Sequence, residues 1–239
     1  MSRVLWFDRL DSTMTEAARL LAEGAPSGTV VAAREQTAGQ GRHGRHWISK
    51  PGDGLYATFL YRLNIDGAGI PCLTLAMGLA VAEALTNLSG VSFDIRWPND
   101  ILWQGKKVCG ILARLEEAAV TGGVGINLRQ REFPPDLRTP AVSLWQITGR
   151  DFTPEDALAQ LIVSMDEYMR VLQEQGREAI IRLFGRASSY VSGRRVQVDL
   201  DGRTIKGITA GLDEFGFLRV QKEDGHIETV LAGGVRPWE

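Results

Sequence analysis

Short β-rich apolar runs fill most of the first half of this chain, and a long stretch of helical spacing interrupts them. Val4 to Phe7 reads as a strand and runs into Asp11-Ser12-Thr13, where Thr13 with Glu16 has the form of a capping box. The helix this predicts covers roughly Thr15 to Glu23 and stops at Gly24, as a C-terminal glycine requires. Further strands are expected over Thr29 to Glu35, Leu55 to Arg62, Val91 to Trp97, Ile101 to Trp103, Val108 to Leu115 and Gly122 to Leu128. A long apolar helix from about Cys72 to Leu88 falls among them, and Gln104-Gly105 marks a hairpin turn. Thr153-Pro154-Glu155-Asp156 combines an N-cap, a proline at the first helical position and acids at the positive dipole end. The helix it opens runs to about Leu172, and a second covers Glu178 to Phe184. The pattern is that of an α/β (α+β) protein with a mixed sheet and flanking helices.

After Gly185 the pattern changes. Short β-runs at Arg195 to Val198, Gly207 to Leu212, Leu218 to Gln221 and Ile227 to Leu231 are separated by turns at Asp201-Gly202, Phe215-Gly216 and Asp224-Gly225. Strands this short at this spacing indicate a small β-barrel. The chain is therefore expected to divide into residues 1–185 and 186–239.

Composition narrows the function. A hydrophobic content of 44% is ample for a core, and a net charge of −2 argues against a protein that coats nucleic acid. Cys72 and Cys109 sit in apolar surroundings and read as buried thiols, which fits a reducing cytosol. No Cys or His pair has ligand spacing, so no protein-held metal is expected. The N-terminus has no apolar signal core, and no run approaches the ~20 apolar residues that span a bilayer. The expectation is a cytoplasmic protein without a membrane partner.

The most informative stretch is Glu35-Gln-Thr-Ala-Gly-Gln-Gly-Arg-His-Gly-Arg-His-Trp47. Its glycines allow close backbone approach, and Arg42 and Arg45 supply planar cations suited to phosphate or carboxylate. Gly39 to Gly44 matches G-x-G-x-x-G formally, but the dinucleotide fingerprint needs a helix after the loop. Here Pro51-Gly-Asp-Gly54 breaks any helix and a strand follows, so the dinucleotide reading fails. Arg34, Arg42, Arg45 and Lys50 lie near one another in sequence with only Glu35 opposing, which favours an anion cradle over a solvated loop. His43 and His46 read as loop surface.

A second constellation is Arg96-Trp97-Pro98-Asn99-Asp100, followed by Lys107 and Gly110-Ile111-Leu112. The hairpin could bring Asp100 and Lys107 around one reacting centre; alternatively Lys106 and Lys107 are a solvated basic pair. Gly123-Val-Gly125-Ile-Asn127 places alternating glycines in a strand, a sign of close approach.

Taken in order, these residues resemble the biotin protein ligases. The family's run is an Asp-Ser-Thr-Asn segment, a Gly-Arg-Gly-Arg-x-Gly-Arg-x-Trp loop, Lys-Trp-Pro-Asn-Asp, a lysine before Gly-Ile-Leu, and Gly-x-Gly-x-Asn. This chain carries Asp11 to Met14, Gly39 to Trp47, Arg96 to Asp100, Lys107 with Gly110 to Leu112, and Gly123 to Asn127. Pro135 to Leu144 resembles a later family loop, and the C-terminal barrel resembles its SH3-like appendage. The resemblance implies a catalytic domain like that of class II aminoacyl-tRNA synthetases, without the winged helix-turn-helix of repressor-type members and hence without DNA binding.

It also implies a two-step reaction, in which biotin and ATP with Mg²⁺ give biotinyl-5′-AMP and the acyl group then passes to a lysine of a biotin carboxyl carrier protein domain of acetyl-CoA carboxylase. By resemblance, Lys107 and Arg42 serve catalysis with Asp100 beside them. Ser12, Thr13, Gln36, Gly39, Gln40, Gly41, Arg42, Trp47, Lys107 and Gly110 take biotin, with Leu55 as a further apolar wall. Arg42, Arg45, Trp47, Arg96, Asn99, Lys107 and Asn127 take ATP. Whether Asp100 is a base or an orienting group stays open at this level, as does the choice between monomer and homodimer. Gln40, Met14 and Arg96 stand where the family usually has arginine, asparagine and lysine, and Arg114 where a glutamate is common; retuned affinity with retained activity is expected. The alternatives are a lipoate or octanoate transferase on the same fold and a non-enzymatic nucleic-acid binder. The segment after Gly185 holds eight basic and eight acidic residues, which is not the basic face such a binder needs.

Overall fold

A computed structural model describes residues 2–62, 69–116, 119–200 and 202–238. Strand β1 (Arg3–Phe7) leads into helix α1 (Thr13–Ala22), and β2 (Thr29–Ala33) and β3 (Gly54–Tyr61) flank the glycine loop. Helix α2 (Ile70–Ser89) precedes β4 (Asp94–Arg96), β5 (Asp100–Trp103), β6 (Lys106–Glu116) and β7 (Ala119–Asn127). These strands form one seven-stranded sheet in the order β1-β2-β3-β7-β6-β5-β4, parallel only between β1 and β2. A short helix α3 (Leu144–Thr148) and the long α4 (Pro154–Ala187) follow. A five-stranded antiparallel sheet completes the chain, with β8 (Ser192–Leu200), β9 (Arg203–Leu212), β10 (Leu218–Gln221), β11 (Ile227–Val230) and β12 (Gly234–Pro237) in the order β11-β10-β9-β8-β12. This is the SH3-like element.

The two faces of the large sheet have different coverings. Helices α2 and α4 pack on one face, burying Leu55, Ala57 and Phe59 of β3 with Val120, Val124 and Ile126 of β7. Helix α1 covers part of the other face, where Ala17, Val31 and Leu60 form a small separate cluster. Leu55, expected as a wall of the binding pocket, is thus on the helix-packed face; the two-residue period of a strand sends it there with Ala57.

Helix α1 is capped by Ser12, not by the expected Thr13–Glu16 box. Ser12 is extended (φ −155°, ψ 137°) and its hydroxyl accepts from Met14 N, while Thr13 is already helical. The strand expected from Val91 begins only at Asp94. The two helices expected after Thr153 are continuous except at Gly176, whose φ of 75° breaks the helical path. Thr153 caps α4 through Asp156 N. Strand β12 and α3 were not anticipated: a four-residue strand made of Gly-Val-Arg-Pro has no apolar alternation to reveal it. Asp201 of one expected turn lies outside the described residues; Gly202 beside it has φ +83°.

Helix α2 is, by length and composition, apolar enough to cross a membrane, with a mean hydropathy of 1.4, contrary to the expectation that no such run exists. Its apolar residues are instead core: Leu73, Leu75, Ala76 and Met77 are fully buried against the sheet and α4. Both cysteines are buried and free. Burial pushes the Cys72 thiol up to about 11 and pushes Cys109 higher still.

The segment joining α4 to the small sheet, and the β9–β10 turn of that sheet, are fastened to the large sheet and the turn after β4 through specific bonds. Trp97 Nε1 donates to Gly216 O at 3.0 Å, Ser188 Oγ to Ile95 O at 2.5 Å, and Ser189 Oγ to Asp94 at 2.5 Å.

Candidate functional site

The site is built on one row of residues that crosses the sheet. Arg96 pairs with Asp100, Asp100 with Gly110, Gly110 with Gly125, and Gly125 with Tyr56. Cross-strand partners share a face, so this row puts a cation, an anion and two glycines in line. The glycines leave a floor on which the Trp47 indole lies. A Cβ at Gly125 would stand 2.4 Å from Trp47 Cε2, and one at Gly110 2.9 Å from Trp47 Cζ3. The next row places Gly123 under the Met14 side chain.

Lys107 reaches this face because the β5–β6 hairpin is bulged. Ile101 pairs with Cys109 but Leu102 with Lys107, so Val108 is the extra residue. Val108 and Cys109 both enter the core, and Lys107 falls on the same face as Gly110. A regular strand would send Lys107 to the face of Cys109; the bulge re-aims it. Its ammonium lies 2.5 Å from Asp100 Oδ1 and 5.3 Å from the centre of the Trp47 ring. The other Asp100 oxygen accepts from Arg96 at 2.5 Å, and Arg96 also donates to Thr139 Oγ1 at 2.9 Å. Burial alone would raise the Asp100 carboxyl, but Lys107 and Arg96 outweigh it and hold the group below the usual carboxylate range.

The glycine loop closes as a small hairpin. Trp47 N donates to Gly39 O and Gly41 N to Arg45 O, with a helical turn over Arg42 to Gly44 at the tip. Gly39 is a spacer more than a wall: a Cβ there would meet Trp47 O at 2.4 Å. The hairpin carries Arg42 over the sheet, where it donates to Asn99 Oδ1 at 2.9 Å and to Gly233 O at 3.4 Å. Asn99 in turn donates to Ile111 O, so it fixes Arg42 against β6. Burial, then the neighbouring Arg45, weakens the Arg42 guanidinium's hold on its proton, and Asp100 opposes this.

Below the loop, Gln36 Oε1 accepts from both Thr13 N and Thr13 Oγ1, at 2.8 and 3.0 Å, and its amide donates to Ser49 Oγ. Thr58 Oγ1 donates to Thr13 Oγ1. Gln40 donates to Thr15 Oγ1 at 3.2 Å, while its Oε1 and the Trp47 Nε1 are buried without a hydrogen-bond partner. Buried unpaired polar atoms are costly, and both of these border the narrow cleft formed by Ser12, Thr13, Gln36, Gln40, Trp47 and Lys107. A second, wider cavity of about 310 Å³ opens from Arg42 and Lys107 towards Arg45, Arg96, Asn127 and strand β12.

Most residues singled out in sequence therefore converge on two adjoining cavities. Arg45, His43 and His46 lie at the exposed rim of the wider one. Asn127 borders it too, but its amide is spent on Lys107 O and Val142 O and its oxygen accepts from Gln130, so it holds backbone together. Arg34 does not join: it pairs with Glu155 and stacks over Trp6. Thr139, Gln130, Arg138 and Arg236 were missed, because they come from loops and a strand with no motif to flag them.

An open α/β sheet with a cationic hairpin over paired clefts, and a small antiparallel sheet at the rim, defines a ligand-activating domain of the acyl-ligase type. The model of the biotin/lipoate A/B protein ligase family matches residues 6–130, and that of the biotin protein ligase C terminal domain matches residues 191–235. The chain is 32% identical over 241 residues to the biotin–[acetyl-CoA-carboxylase] ligase of Mycobacterium tuberculosis, across 95% of this chain and 87% of that one. It is 32% identical over 233 residues to the bifunctional ligase/repressor BirA of Bacillus subtilis, across 93% of this chain and 70% of that one. Among solved structures, the biotin protein ligase from Aquifex aeolicus in complex with biotin and ATP superposes with a TM-score of 0.89 at 31% identity, covering 100% of both chains. This chain belongs to the biotin protein ligases of the biotin/lipoate A/B protein ligase family.

Proposed function

We propose that this protein activates biotin with ATP and transfers it to a lysine of a biotin carboxyl carrier protein domain. The observation that carries this reading is the cation set at the junction of the two cavities: Lys107 and Arg42 both line the narrow cleft and the wide one. In the first step a biotin carboxylate oxygen bonds to the α-phosphorus of ATP, the bond to the β-phosphate oxygen breaks, and pyrophosphate leaves. Two anions must approach each other, so fixed cations supply the main stabilisation. Lys107 suits the biotin carboxyl and α-phosphate, and Arg42, held by Asn99, suits the adenylate phosphate. Mg²⁺ arrives with the triphosphate as part of the substrate. In the second step the carrier amine attacks the acyl carbon, the bond to the phosphate oxygen breaks, AMP leaves, and the nitrogen loses a proton.

Thr13, Gln36 and Ser12, with loop backbone at Gly39 to Gly41, match the donors and acceptor of the biotin ureido ring. Trp47 and the Gly110 floor match its apolar part, and Gln40 offers its unpaired oxygen there. Arg45, Arg96, Asn99 and Asn127 surround the nucleotide cavity, with Asn127 shaping its backbone. Asp100 is read as an orienting group: a carboxylate clamped between two cations is a weak base. Residues 1–185 would carry this site and residues 186–239 its rim, in a protein of the cytoplasm.

Incubation with ATP, labelled biotin or lipoate, and an apo carrier domain tests the reading. Biotin-dependent pyrophosphate release and a labelled carrier lysine are expected; lipoate-only transfer would establish the lipoate alternative instead.

A further inference from the structure

Asn127 and Gln130 fix between them which way each side-chain amide points. The Asn127 NH₂ is committed to two backbone carbonyls, Lys107 O at 3.3 Å and Val142 O at 3.2 Å. Carbonyls take only donors, so the Asn127 side-chain oxygen faces Gln130, and Gln130 answers with its own NH₂ at 3.3 Å. That leaves the Gln130 oxygen as the atom without a task. It is buried without a hydrogen-bond partner, in a residue only 9% exposed that borders the wide cavity. The backbone around it is pinned: Gln130 O accepts from Ser143 Oγ at 2.7 Å, and Arg129 N donates to Asp53 O at 2.8 Å. The same loop then lines the cavity with Phe133, Pro134 and Leu137, an apolar wall suited to a flat ring.

We propose that Gln130 reads the base of the nucleoside triphosphate. Its oxygen can only accept, so it takes the exocyclic amine of a 6-aminopurine. A buried acceptor without a donor is costly, and the amine removes that cost. A purine with hydrogen at the 6-position leaves the oxygen unpaired, and one with oxygen there sets two acceptors against each other. Asn127 is a positioning residue: it holds Gln130 in this orientation and does not itself touch the base. This inference rests on the ligase reading and names the residue that selects its nucleotide.

The test measures binding to the full chain by calorimetry for ATP, inosine triphosphate and purine riboside triphosphate, which carry NH₂, oxygen and hydrogen at the 6-position. The wild type is expected to bind ATP roughly fivefold tighter than purine riboside triphosphate, the worth of one neutral hydrogen bond. Inosine triphosphate should bind no better than that analogue. Gln130→Met keeps a side chain of similar length and removes the acceptor; in it the preference for ATP should vanish, with biotin affinity unchanged. A wild type that binds ATP and purine riboside triphosphate equally overturns the proposal without any variant, and so does inosine triphosphate binding as tightly as ATP. A preference for ATP that persists in Gln130→Met overturns it too, whether all nucleotides weaken equally, which marks Gln130 as structural, or none does, which gives the reading to another residue. A wild-type chain that binds neither biotin nor any of the nucleotides defeats the ligase reading itself, a result separate from these.

Discussion

The two faces of the seven-stranded sheet are made from the same strands and obey opposite rules. On β7, Val120, Val124 and Ile126 point to α2 and α4 and are buried as core, while Gly123 and Gly125 open the other face, Gly123 to the side chain of Met14 and Gly125 to the indole of Trp47. The helix face maximises apolar contact; the site face removes side chains so that Trp47, Lys107 and Arg42 can occupy the space above it. Stability is concentrated on one face and chemistry on the other, separated by the thickness of one sheet.

Substitutions on the two faces should therefore separate cleanly. Phe184 is fully buried beside Gly78 of α2, and Phe184→Ala is expected to cost about 3–5 kcal/mol of stability, measured by denaturant unfolding. Lys107→Ala is expected to lower the rate of adenylate formation about 10²–10³-fold with a smaller loss of stability than Phe184→Ala, since Arg96 still pairs with Asp100. A Lys107→Ala variant that unfolds like Phe184→Ala, or that releases pyrophosphate at a normal rate, would break the comparison. Gly125→Ala tests the floor: its Cβ would overlap the indole of Trp47, and biotin affinity should fall roughly tenfold, the cost of overpacking such a contact. An unchanged affinity would show that Trp47 is not the wall proposed.

The acid limb offers a finer test. The Asp100 carboxyl has a lowered pKa in the folded chain, so its contribution is complete above the unfolded value of about 3.9 and is lost as pH falls through the folded value. Asp100→Asn should lack that part of the stability loss in acid, and identical acid profiles would count against the pairing. The smallest expected signal is chemical. With the thiol of Cys72 at about 11 and that of Cys109 higher, neither should label at pH 8 in the native chain, and both should label after denaturation. Rapid native labelling read by mass spectrometry would show that this face of the core opens.

Much of this was legible in sequence where the signal was local. The Thr153 cap, the Gln104-Gly105 turn and the break near Gly176 depend on a few neighbouring residues, and the Gly39 to Trp47 loop announced itself by composition. The pairing of Asp100 with Lys107 was open until the bulge at Val108 was seen, because a hairpin's register decides which face a lysine takes. Ser12 displaced Thr13 as the cap for a similar reason: Gln36, distant in sequence, claims Thr13. Leu55 was assigned to the wrong face, and Arg34 to the wrong neighbours, since adjacency in sequence says little about direction in a strand or after one.

By itself, the sequence determined the residue types available: a glycine-rich cationic loop, a lysine after a hairpin and glycines spaced two apart, in an order that resembles one family. Only the tertiary structure decided their use, because strand register and a single bulge choose which side chains share a face. It alone brought Arg236 and Asp199 of the last sheet to Arg138 at the nucleotide cavity. Contacts of that kind link elements far apart in the chain, and no local pattern encodes them.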